Sequence, residues 1–480
     1  MQLDALFPGA PALSIGGLAY DNRLVEPRDL FFCVRGFSAD GHDFAQAAVA
    51  AGAAALVVDH LLDLDVAQVL VDDVRKAMAP AAARFYGDPT AQLRLLGITG
   101  TNGKTTTAFL IRAMLAAGGR QCGMLGTVKS VIGGREEHTL RTTPEAIDLQ
   151  RSFREMLDGG DQAAVMEVSS HALALSRVSA CHFDVGVFTN LTRDHLDFHP
   201  TMEDYFQAKR RLFTEFQAAS GVINSDDPYG ARLLTSADVI KPITFAIDDP
   251  GASYRASDLQ LGLAGTAFKL HSPEGVRLVN SPLCGRFNVY NLLAALAAAG
   301  AAGVPLETAL GALTDAAAVP GRFQTVDAGQ DFAVIVDYAH TPDSLENVLN
   351  TARTLTAGKV HVVFGCGGDR DRGKRPRMGE IAATLADSVI ITSDNPRSED
   401  PQAIIAEILK GASAAARQSS RLNAEPDRQA AIRLAITEAA SGDVVLVAGK
   451  GHEQGQEFEG GRTVPFDDLA VVRAALSARS

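Results

Sequence analysis

The chain has 480 residues, of which 46% are hydrophobic and none is Trp, and its 44 Lys and Arg against 57 Asp and Glu give a formal net charge of −13. One hydrophobic core rarely grows beyond roughly 250–300 residues, so this length predicts several domains and excludes a single small binding module. The acidic balance argues against nucleic acid or an anionic membrane surface as the main partner, so any phosphate must be bound by a local site.

Three further features bear on where the protein acts. The five cysteines are dispersed and include no CxxC pair, which argues against a disulfide framework or a thiolate metal site and favours the reducing cytoplasm. Asp4 stands where an export signal would carry basic residues, so no such signal is predicted. The longest uncharged run, 287–306, is mostly alanine and contains two asparagines, which predicts a buried helix and no membrane insertion.

Residues 1–88 alternate between short apolar strands and helical segments, which predicts a small α/β domain. The predicted strands are 29–36, 54–59 and 67–73, and the predicted helices are 43–52 and 75–86. The turn sequence Tyr86-Gly87-Asp88-Pro89 precedes a new strand, so we place the first domain boundary near residue 88.

Two longer units follow in which strands again alternate with helices, a pattern typical of parallel sheets covered on both faces. In 89–319 the predicted strands are 94–98, 163–168, 185–190 and 221–226, and a helix runs from the loop 97–105 to about 117. The turn sequence at 318–321 starts the third unit, 320–480, with predicted strands 332–337, 359–365, 388–394 and 443–449. Thr341-Pro342 and Asp400-Pro401 each put a cap residue before a first-turn proline. The predicted fold is thus α/β with three domains, the last one Rossmann-like.

The sequence GITGTNGKT, residues 97–105, joins a predicted strand to a predicted helix. This arrangement points backbone N–H groups at a phosphate chain, with Lys104 reaching the terminal phosphates and the Thr105 hydroxyl available to Mg²⁺. The strict GxxxxGK[ST] pattern fails by one residue, because Ile98 stands five positions before Gly103. A tight turn without ligand is the alternative, but it gives the lysine and threonines no purpose. The predicted cofactor-binding residues of this loop are Gly100, Thr101, Asn102, Gly103, Lys104, Thr105 and Thr106.

Metal ligands are expected at the carboxyl ends of the neighbouring strands, where open α/β sheets bind ligands. Glu167 ends one predicted strand, and Asp194 and His195 follow the next. A carboxylate and an imidazole suit a magnesium site, although imidazole is not the donor that Mg²⁺ prefers. The alternative, that Glu167 and His195 are ordinary polar loop residues, is left open at this point.

Three polar loops of the last unit follow predicted parallel strands and should share one edge of the sheet. They are GCGGDRDRGKRP (365–376), DNPR (394–397) and GKGHE (449–453). The first has four cations and two aspartates between Asp369 and Pro376, and most such runs are simply solvated. Three polar loops at one edge of the sheet nevertheless favour a ligand-binding site.

The motifs taken together resemble the Mur ligases. They are GTNGKTT (100–106), EVSSH (167–171), NLTRDHLDFH (190–199), GRFNVYN (285–291), DYAHTPDSL (337–345), GCGGDRD (365–371), DNPR and AGKGHE. They occur in order over nearly the whole chain, including all three predicted domains. Folylpolyglutamate synthetase resembles the first motif and shares the chemistry, but is not expected to carry EVSSH and DNPR.

The resemblance implies an ATP-dependent amide ligase of peptidoglycan synthesis with a central ATP-binding domain. ATP would phosphorylate a carboxylate of UDP-MurNAc-L-Ala-D-Glu, and the amine of meso-diaminopimelate would then attack the acyl phosphate. The implied cofactors are ATP and Mg²⁺, and the implied partners are these two substrates, with no nucleic acid. We expect a monomer because no self-complementary apolar stripe stands out.

The resemblance also assigns catalytic and metal-binding residues. It makes Lys104 catalytic, and it makes Thr105, Glu167, His195 and Lys209 metal ligands, the last three also catalytic. In the family the lysine matching Lys209 is carbamylated, which turns a cation into an anion that can hold a second Mg²⁺. Without the resemblance, Lys209 would be interpreted as a surface lysine of a basic helix.

The remaining implied residues bind nucleotide or substrate. Those matching nucleotide contacts are Asn288, Asn291, Arg322 and Asp337. Those matching muropeptide contacts are Tyr20, Asn22, Thr142, Thr143, Ser169 and Arg177. Those matching the amino-acid site are Arg370, Asp394, Asn395, Pro396, Arg397, Gly449 and Glu453. Leu175 and Asn22 depart from the family pattern, in which glutamine and serine are usual at these places, and this bears on uridine and muramoyl recognition.

Arg397 and Arg370 predict which amino acid is added. Diaminopimelate carries a distal carboxylate that lysine lacks, and a guanidinium offers paired donors that fit a carboxylate. The alternative for Arg397 is that it only caps the loop after its strand.

The alternative function is that of a nucleotide-gated interaction protein. In such a protein the phosphate loop would change conformation with the bound nucleotide, and the basic residues of the loop 365–376 would bind a partner. A switch of this kind has no need of a second nucleotide-binding-like domain rich in carboxylate-binding groups, so the ligase is the better hypothesis.

Overall fold

The computed structural model describes residues 1–36, 39–137, 139, 141–314, 319–416 and 421–479. Three sheets follow one another along the chain, one in each of the three predicted units, and strands alternate with helices in all of them. The predicted α/β class is confirmed. Ala318, where the predicted second turn begins, lies outside the described residues.

The N-terminal sheet is parallel throughout and has the strand order β1-β2-β3-β4. Its strands are β1 (Gly17–Ala19), β2 (Asp29–Phe32), β3 (Ala55–Val58) and β4 (Ala67–Leu70), and its helices are α1 (Leu3–Leu6), α2 (Ala45–Ala51) and α3 (Val74–Phe85). The strands are shorter than predicted, and β2 and β4 end at Phe32 and Leu70 although apolar residues follow both. Short 3₁₀ turns lie at Asn22–Leu24, Gly41–Phe44 and Pro89–Ala91.

The middle sheet has a parallel centre, in the order β13-β12-β11-β10-β5-β9-β6, and antiparallel pairing extends it beyond β13 and beyond β6. The central strands are β5 (Arg94–Thr99), β6 (Cys122–Leu125), β9 (Ala163–Glu167), β10 (Val185–Phe188), β11 (Gly221–Asn224) and β12 (Pro242–Ala246). Edge strands β7 (Ser130–Ile132) and β8 (Arg135–Glu137) pair beyond β6, and β13 (Tyr254–Gly262), β14 (Gly265–Ser272) and β15 (Gly275–Ser281) continue beyond β12. These edge strands were not predicted from the sequence.

Helices cover both faces of the middle sheet. They are α4 (Lys104–Ala117), α5 (Ala146–Asp158), α6 (Ser170–Ala174), α7 (Met202–Thr214), α8 (Pro228–Leu234), α9 (Arg286–Ala301) and α10 (Leu306–Thr314). Alternate residues of β5 enter different cores: Leu96 packs with Met114 and Leu292 on one face, and Leu95 packs with Phe153 on the other. The run 287–306 forms the buried helix α9 and its exit, as predicted. Among the described residues, no helix combines the length and apolarity needed to cross a bilayer.

The C-terminal sheet has the strand order β16-β17-β21-β18-β19-β20, and only its edge strand β16 is antiparallel. Its strands are β16 (Gln324–Val326), β17 (Ala333–Asp337), β18 (Val360–Phe364), β19 (Ser388–Ile391), β20 (Arg421–Ala424) and β21 (Val444–Ala448), with a separate hairpin of β22 (Gly455–Glu457) and β23 (Thr463–Pro465). The helices are α11 (Pro342–Leu355), α12 (Lys374–Leu385), α13 (Pro401–Ala415), α14 (Arg428–Glu438) and α15 (Asp468–Arg479), and a 3₁₀ turn spans Glu459–Gly461. The side chains of Thr341 and Asp400 cap α11 and α13, as predicted.

Candidate functional site

A cavity of about 1140 Å³ lies between the middle and C-terminal sheets, at the carboxyl ends of β5, β9 and β10. It brings together residues that are up to 269 positions apart in the sequence, from Thr101 to Arg370. The sequence-predicted residues that line it are Thr101, Asn102, Gly103, Lys104, Thr105, Thr106, Thr142, Thr143, Glu167, Ser169, Arg177, His195, Lys209, Asn291, Arg322, Asp337 and Arg370.

The phosphate loop is tightly packed, and its two glycines are required by this packing. Gly100 has φ of 150°, and a Cβ there would lie 1.9 Å from the Thr189 hydroxyl oxygen. Gly103 has φ of 86°, and a Cβ there would lie 2.3 Å from Oδ1 of Asn291. Helix α4 begins directly afterwards, and the amides of its first turn have no carbonyl four residues earlier within the helix. These N–H groups and the helix dipole form the cradle that a phosphate chain requires.

Lys104 lies inside this loop. Its Nζ donates to the carbonyl oxygens of Gly100 at 3.0 Å and Thr101 at 2.8 Å. The desolvation of its side chain lowers the pKa of Lys104 from the ordinary lysine value, and nearby Glu167 opposes this shift. A cation held here faces the position in which the terminal phosphates of a bound nucleotide would lie.

The buried carboxylate of Glu167 collects three donors. The Thr105 hydroxyl donates to its Oε2 at 3.1 Å, the Thr127 hydroxyl donates to Oε2 at 3.0 Å, and the Thr127 backbone amide donates to Oε1 at 2.8 Å. This set offers carboxylate and hydroxyl oxygens beside the phosphate loop, which is the donor chemistry that Mg²⁺ prefers. The residues present therefore fit a magnesium ion.

Asp194 and His195 follow β10 at the same edge of the sheet. The His195 Nε2 lies 3.4 Å from Oδ2 of Asp194, and His195 has φ of 54°, a conformation that non-glycine residues rarely adopt outside functional sites. Burial lowers the pKa of His195 to about 4, so the imidazole is neutral and able to act as a ligand. Burial alone would raise the pKa of Asp194, but His195 and His340 lower it to about 2.

Lys209 is fully buried, so its interpretation as a surface lysine is wrong. Its Nζ donates to the Gly100 carbonyl oxygen at 2.8 Å and lies 4.6 Å from the centre of the Tyr205 ring. Burial, together with the positive charge of Lys104, lowers the pKa of Lys209 well below the ordinary value. The amine is thereby shifted towards its neutral, nucleophilic form.

Four of the predicted muropeptide residues form one network in the cavity wall. The Thr143 hydroxyl donates to the Glu167 carbonyl oxygen at 2.8 Å and accepts from the Ser169 backbone amide at 3.0 Å. Arg177 donates to the Thr143 carbonyl oxygen at 3.1 Å and pairs with buried Glu145 at 2.9 Å. Thr142 lies alongside, with its hydroxyl 3.0 Å from that of Thr127.

The other two predicted muropeptide residues lie in the N-terminal domain and do not line the cavity. The Tyr20 hydroxyl donates to Oδ2 of Asp148 at 2.6 Å, which links the N-terminal and middle domains. Asn22 begins the 3₁₀ turn after β1 and is half-buried.

The C-terminal domain contributes Arg322 and Asp337. Arg322 Nη2 donates to the Thr105 hydroxyl at 3.0 Å, and its guanidinium lies 4.4 Å from the centre of the Tyr338 ring. Burial raises the pKa of Asp337 to about 6, although Arg322 and two backbone amides act in the opposite direction. A further bond between the domains joins Asn102 Nδ2 to Oδ2 of Asp343 at 2.7 Å.

The two predicted adenine-side asparagines of α9 differ in position. Asn291 lines the cavity beside Gly103, and its Nδ2 donates to Oδ1 of Asn288 at 2.9 Å. Asn288 does not line the cavity and instead donates to the Cys284 carbonyl oxygen at 2.8 Å. Asn288 thus orients Asn291.

The loops DNPR and GKGHE meet, as predicted, around a lysine that the sequence analysis did not single out. Lys450 is fully buried, and its Nζ donates to Oδ1 of Asn395 at 2.8 Å and to Oε2 of Glu453 at 2.9 Å. Its Nζ also lies 3.5 Å from Oδ1 of Asp394. Gly449 has φ of 115°, and a Cβ there would lie 3.5 Å from Oδ2 of Asp394.

The loops 365–376, 394–397 and 449–453 together form what we call the C-terminal rim. Arg397 lies at the end of one of these loops and has φ of 51°. Its Nε donates to Glu457 at 2.8 Å and its Nη1 donates to the Gly368 carbonyl oxygen at 2.9 Å. Within the part of the chain that the structure describes, Nη2 meets no acceptor. Of the residues predicted to bind the incoming amino acid, Arg370 lines the cavity. The others lie outside its lining: Asp394, Asn395, Pro396, Arg397, Gly449 and Glu453.

The charged run 369–376 is not simply solvated. Arg375 is completely buried and forms ion pairs with Glu399 at 2.7 Å and with Glu407 at 2.8 Å. Arg372 and Arg370 remain exposed. Arg375 therefore holds the loop 365–376 to helix α13. Arg372 faces the solvent, and Arg370 also lines the cavity.

Several residues of the site were missed from the sequence, among them Thr127, Asp343 and Lys450. Thr127 has no neighbouring motif, and only the fold brings it to Glu167. Asp343 lies within a quoted motif, in the first turn of α11, and no local pattern indicates its bond to Asn102. Lys450 stands between two quoted glycines directly after β21, and this position was a usable signal.

Comparison with known proteins agrees with this geometry. Three family descriptions match: "Mur ligase family, catalytic domain" over residues 14–86, "Mur ligase middle domain" over 98–299 and "Mur ligase, glutamate ligase domain" over 321–451. The UDP-N-acetylmuramoyl-L-alanyl-D-glutamate–2,6-diaminopimelate ligase of Geobacillus kaustophilus is 49% identical over 97% of this chain and 95% of its own length. The enzyme with the same name from Streptomyces coelicolor is 46% identical over 99% and 95%. A solved structure of a ligase with this name is 35% identical, with a TM-score of 0.71, and the match covers 100% of this chain and 99% of that chain.

Proposed function

This chain belongs to the Mur ligase family, and on that premise we propose that it joins meso-diaminopimelate to UDP-MurNAc-L-Ala-D-Glu with hydrolysis of ATP to ADP. The observation that carries the proposal is the single cavity in which the phosphate loop, a carboxylate with two hydroxyl donors and residues of the C-terminal domain converge. Such a site can activate a carboxylate and hold an amine beside it.

The first half-reaction uses the phosphate loop. The α4 amides and Lys104 bind the phosphates, and Lys104 stabilises the negative charge that develops as the γ-phosphoryl group passes to the substrate carboxylate. Thr105 and Glu167 would hold Mg²⁺, which supplies further charge neutralisation on the phosphates. Neutral His195 is positioned to complete the metal ligands. Arg322 reaches the same point from the C-terminal domain, so its bond to Thr105 marks where the two domains meet over the nucleotide.

Lys209 is proposed to carry a carbamate. Its neutral amine can attack carbon dioxide, which forms an N–C bond and releases one proton from the nitrogen, and the product is an anion. Burial and the charge of Lys104 both favour the neutral amine that this reaction needs. The resulting carboxylate would lie beside the Gly100 carbonyl and add an anionic oxygen ligand for a second Mg²⁺.

The second half-reaction needs the amino acid held by the C-terminal rim. Arg370 lines the cavity, and Nη2 of Arg397 meets no acceptor among the residues that the structure describes, so both would be available to the distal carboxylate of diaminopimelate. Lys450 fixes Asn395 and Glu453 in place around the distal amine. On the opposite side, Thr142, Thr143, Ser169 and Arg177 would hold the muropeptide, and Tyr20 and Asn22 the nucleotide-sugar end. We retain 1–88, 89–319 and 320–480 as the proposed limits of the three domains.

The proposal is tested by the substrate dependence of ADP release. ADP should form at a substantial rate only when UDP-MurNAc-L-Ala-D-Glu and meso-diaminopimelate are both present, with one tripeptide product for each ADP. ATP turnover that ignores both compounds would favour the nucleotide-gated interaction protein and overturn the ligase assignment.

A further inference from the structure

Two histidines and an aspartate meet in the N-terminal domain, outside the cavity described above. His42 lies in the 3₁₀ turn that precedes α2, and Asp59 and His60 directly follow β3. Oδ1 of Asp59 is 3.3 Å from Nε2 of His42 and 2.6 Å from Nδ1 of His60. The two imidazole rings stack with centroids 4.5 Å apart, and one potential ligand atom from each residue lies within 4.8 Å of the other two.

The hydrogen bonding of His42 prepares it as a ligand. Its Nδ1 lies 2.6 Å from Oδ1 of Asp40, a contact that in the neutral ring favours the tautomer with the proton on Nδ1. In that tautomer Nε2 carries the lone pair, and the Asp59 backbone amide donates to it at 3.4 Å. A carboxylate that orients a histidine through its second nitrogen is the usual outer-shell arrangement around protein metals.

In that tautomer Nε2 and the Asp59 carboxylate oxygen are both acceptors and face each other at 3.3 Å. A cation bound to both atoms would turn this repulsion into attraction, as would a proton on Nε2. The His42 side chain is only 5% exposed, so solvent gives little relief. His60 completes the set from the open side, with its side chain 52% exposed, so an ion could enter from solvent.

We propose that His42 Nε2, Asp59 Oδ1 and His60 Nδ1 bind one divalent transition-metal ion of the Zn²⁺, Co²⁺ or Ni²⁺ class. Two imidazoles and one carboxylate are ligands that this class prefers, whereas Mg²⁺ and Ca²⁺ take oxygen ligands. Three protein ligands leave at least one position for water, as in open zinc sites. None of the three residues lines the main cavity, so the proposal does not depend on the ligase assignment.

Arg35 is the group that opposes the ion. Its Nε lies 3.0 Å from Oδ2 of Asp59 and 3.4 Å from Oδ2 of Asp40. Both Nε contacts use the second oxygen of each carboxylate, but Nη2 of Arg35 also donates to Oδ1 of Asp59 at 3.2 Å, so Arg35 and the metal compete for that oxygen. The Arg35 side chain is 62% exposed and can move into solvent, so it competes with the ion without blocking it.

The bound ion would tie two carboxyl-end loops of the N-terminal sheet together. His42 belongs to the connection after β2, and Asp59 and His60 end β3, while Tyr20 follows β1 at the same edge. A metal ion that binds only the folded arrangement of these loops would stabilise the N-terminal domain.

The test is a Zn²⁺ titration of tag-free, metal-stripped full-length protein, followed with a competing chromophoric chelator in excess Mg²⁺, which occupies oxygen-rich sites. Wild type should bind one equivalent that is lost in Asp59→Asn and weakened at least about tenfold in His60→Gln and Asp40→Asn. His182→Gln, which changes an exposed histidine beside Asp88, is the matched control and should bind as wild type does.

A second readout separates binding from a folding defect. Co²⁺ added to wild type should give visible ligand-field absorption and raise the melting temperature. Both effects should be absent in Asp59→Asn and reduced in His60→Gln at the same Co²⁺ concentration, while the metal-free melting temperature of His60→Gln stays near that of wild type. If wild type, Asp59→Asn, His60→Gln and Asp40→Asn all bind Zn²⁺ with the same affinity and stoichiometry, or if wild type shows no Co²⁺ spectrum, the proposal is wrong.

Discussion

The Nζ atom of Lys209 lies 2.8 Å from the carbonyl oxygen of Gly100, the glycine at which the phosphate loop leaves strand β5. A residue of α7 thereby shares this carbonyl with Lys104, whose Nζ is 3.0 Å from the same oxygen. Two lysines on one carbonyl repel each other, and the pKa of both is lowered, chiefly by burial. Conversion of one of them into an anion would relieve this repulsion.

Lys209→Ala is therefore expected to be nearly inactive and to regain part of its activity with a small added carboxylate such as acetate or chloropropionate. The physical reason is that the variant opens space beside Gly100 that a free anion can enter. Steady-state assays of ADP release at increasing carboxylate concentration check this. Lys76→Ala, which removes an exposed lysine of α3, is the control and should respond to neither the substitution nor the additive.

Direct observation of the modification comes from ¹³C NMR of active enzyme in ¹³C-bicarbonate. A carbamate resonance should be present in wild type and missing in Lys209→Ala. A bare amine at Lys209 in fully active enzyme would contradict the assignment.

Lys104→Ala should lose about 3 kcal/mol or more of transition-state stabilisation, a rate factor above roughly a hundred, because it removes a cation from the transferring phosphoryl group. The side chain also bonds the loop carbonyls of Gly100 and Thr101, so unfolding free energy must be measured alongside turnover. A variant that folds as stably as wild type and keeps more than half of its turnover would refute the role of this loop.

Much of this architecture could be predicted, because apolar runs alternate regularly with helical segments and cap residues mark the helix starts. Glu167 and the phosphate loop were located correctly because both end parallel strands, and the carboxyl ends of such strands share an edge. The antiparallel strands β13–β15 were not predicted, since their half-exposed residues carry no continuous apolar run.

The surroundings of individual side chains were harder to predict. The burial of Lys209 depends on how α7 packs against β5, and Arg375 looks like any surface cation until α13 supplies Glu399 and Glu407. Contacts between residues far apart in sequence, such as the bond between Arg322 and Thr105, follow from domain placement and leave no local pattern.

Asp337 is expected to make the unfolding free energy depend on pH. Its pKa rises to about 6 in the folded protein, chiefly through burial, from an unfolded value near 3.9, so between these values the folded state binds more protons than the unfolded one. Stability contributed by the protonated carboxyl is complete below about pH 4 and is lost as the pH rises through about 6. The loss over this whole range should be on the order of 3 kcal/mol.

Urea denaturation of wild type and Asp337→Asn at pH 4.5 and pH 7 checks this expectation. The difference in unfolding free energy between the two proteins should shift in favour of the variant as the pH rises. Asp331→Asn, at an exposed position just before β17, is the matched control. A difference that stays constant over this range would contradict the raised pKa.

Binding of an ATP analogue and muropeptide together should compact the molecule, with Pro320-Gly321 as the hinge. Gly321 has φ of 64°, and a Cβ there would lie 2.2 Å from the His452 backbone nitrogen, so the turn is packed against the GKGHE loop and moves with the C-terminal domain. Closure brings the amine to the activated carboxylate. Small-angle scattering should show a smaller radius of gyration with both ligands, and an unchanged radius would count against closure.

Arg397→Ala should lose selectivity for diaminopimelate over lysine, and this loss should be larger than any change in its free energy of unfolding. Nε and Nη1 of Arg397 bond Glu457 and Gly368, which fixes the guanidinium plane and presents Nη2 to a ligand carboxylate. Wild type should reject lysine by ~10⁴ or more, because lysine lacks the distal carboxylate and leaves the Nη2 donor without an acceptor.

Lys450→Met is the informative companion variant. Lys450 touches Asn395 and Glu453 but lies outside the cavity lining, so its loss should raise KM for diaminopimelate while KM for ATP stays unchanged. Glu459→Gln, at an exposed position in the 3₁₀ turn between β22 and β23, is the control and should leave both constants as in wild type. Side-by-side assays with diaminopimelate and lysine test both expectations. Equal or better turnover of wild type with lysine would overturn the role of Arg397. An unchanged KM for diaminopimelate in Lys450→Met would show that the buried amine does not position the C-terminal rim.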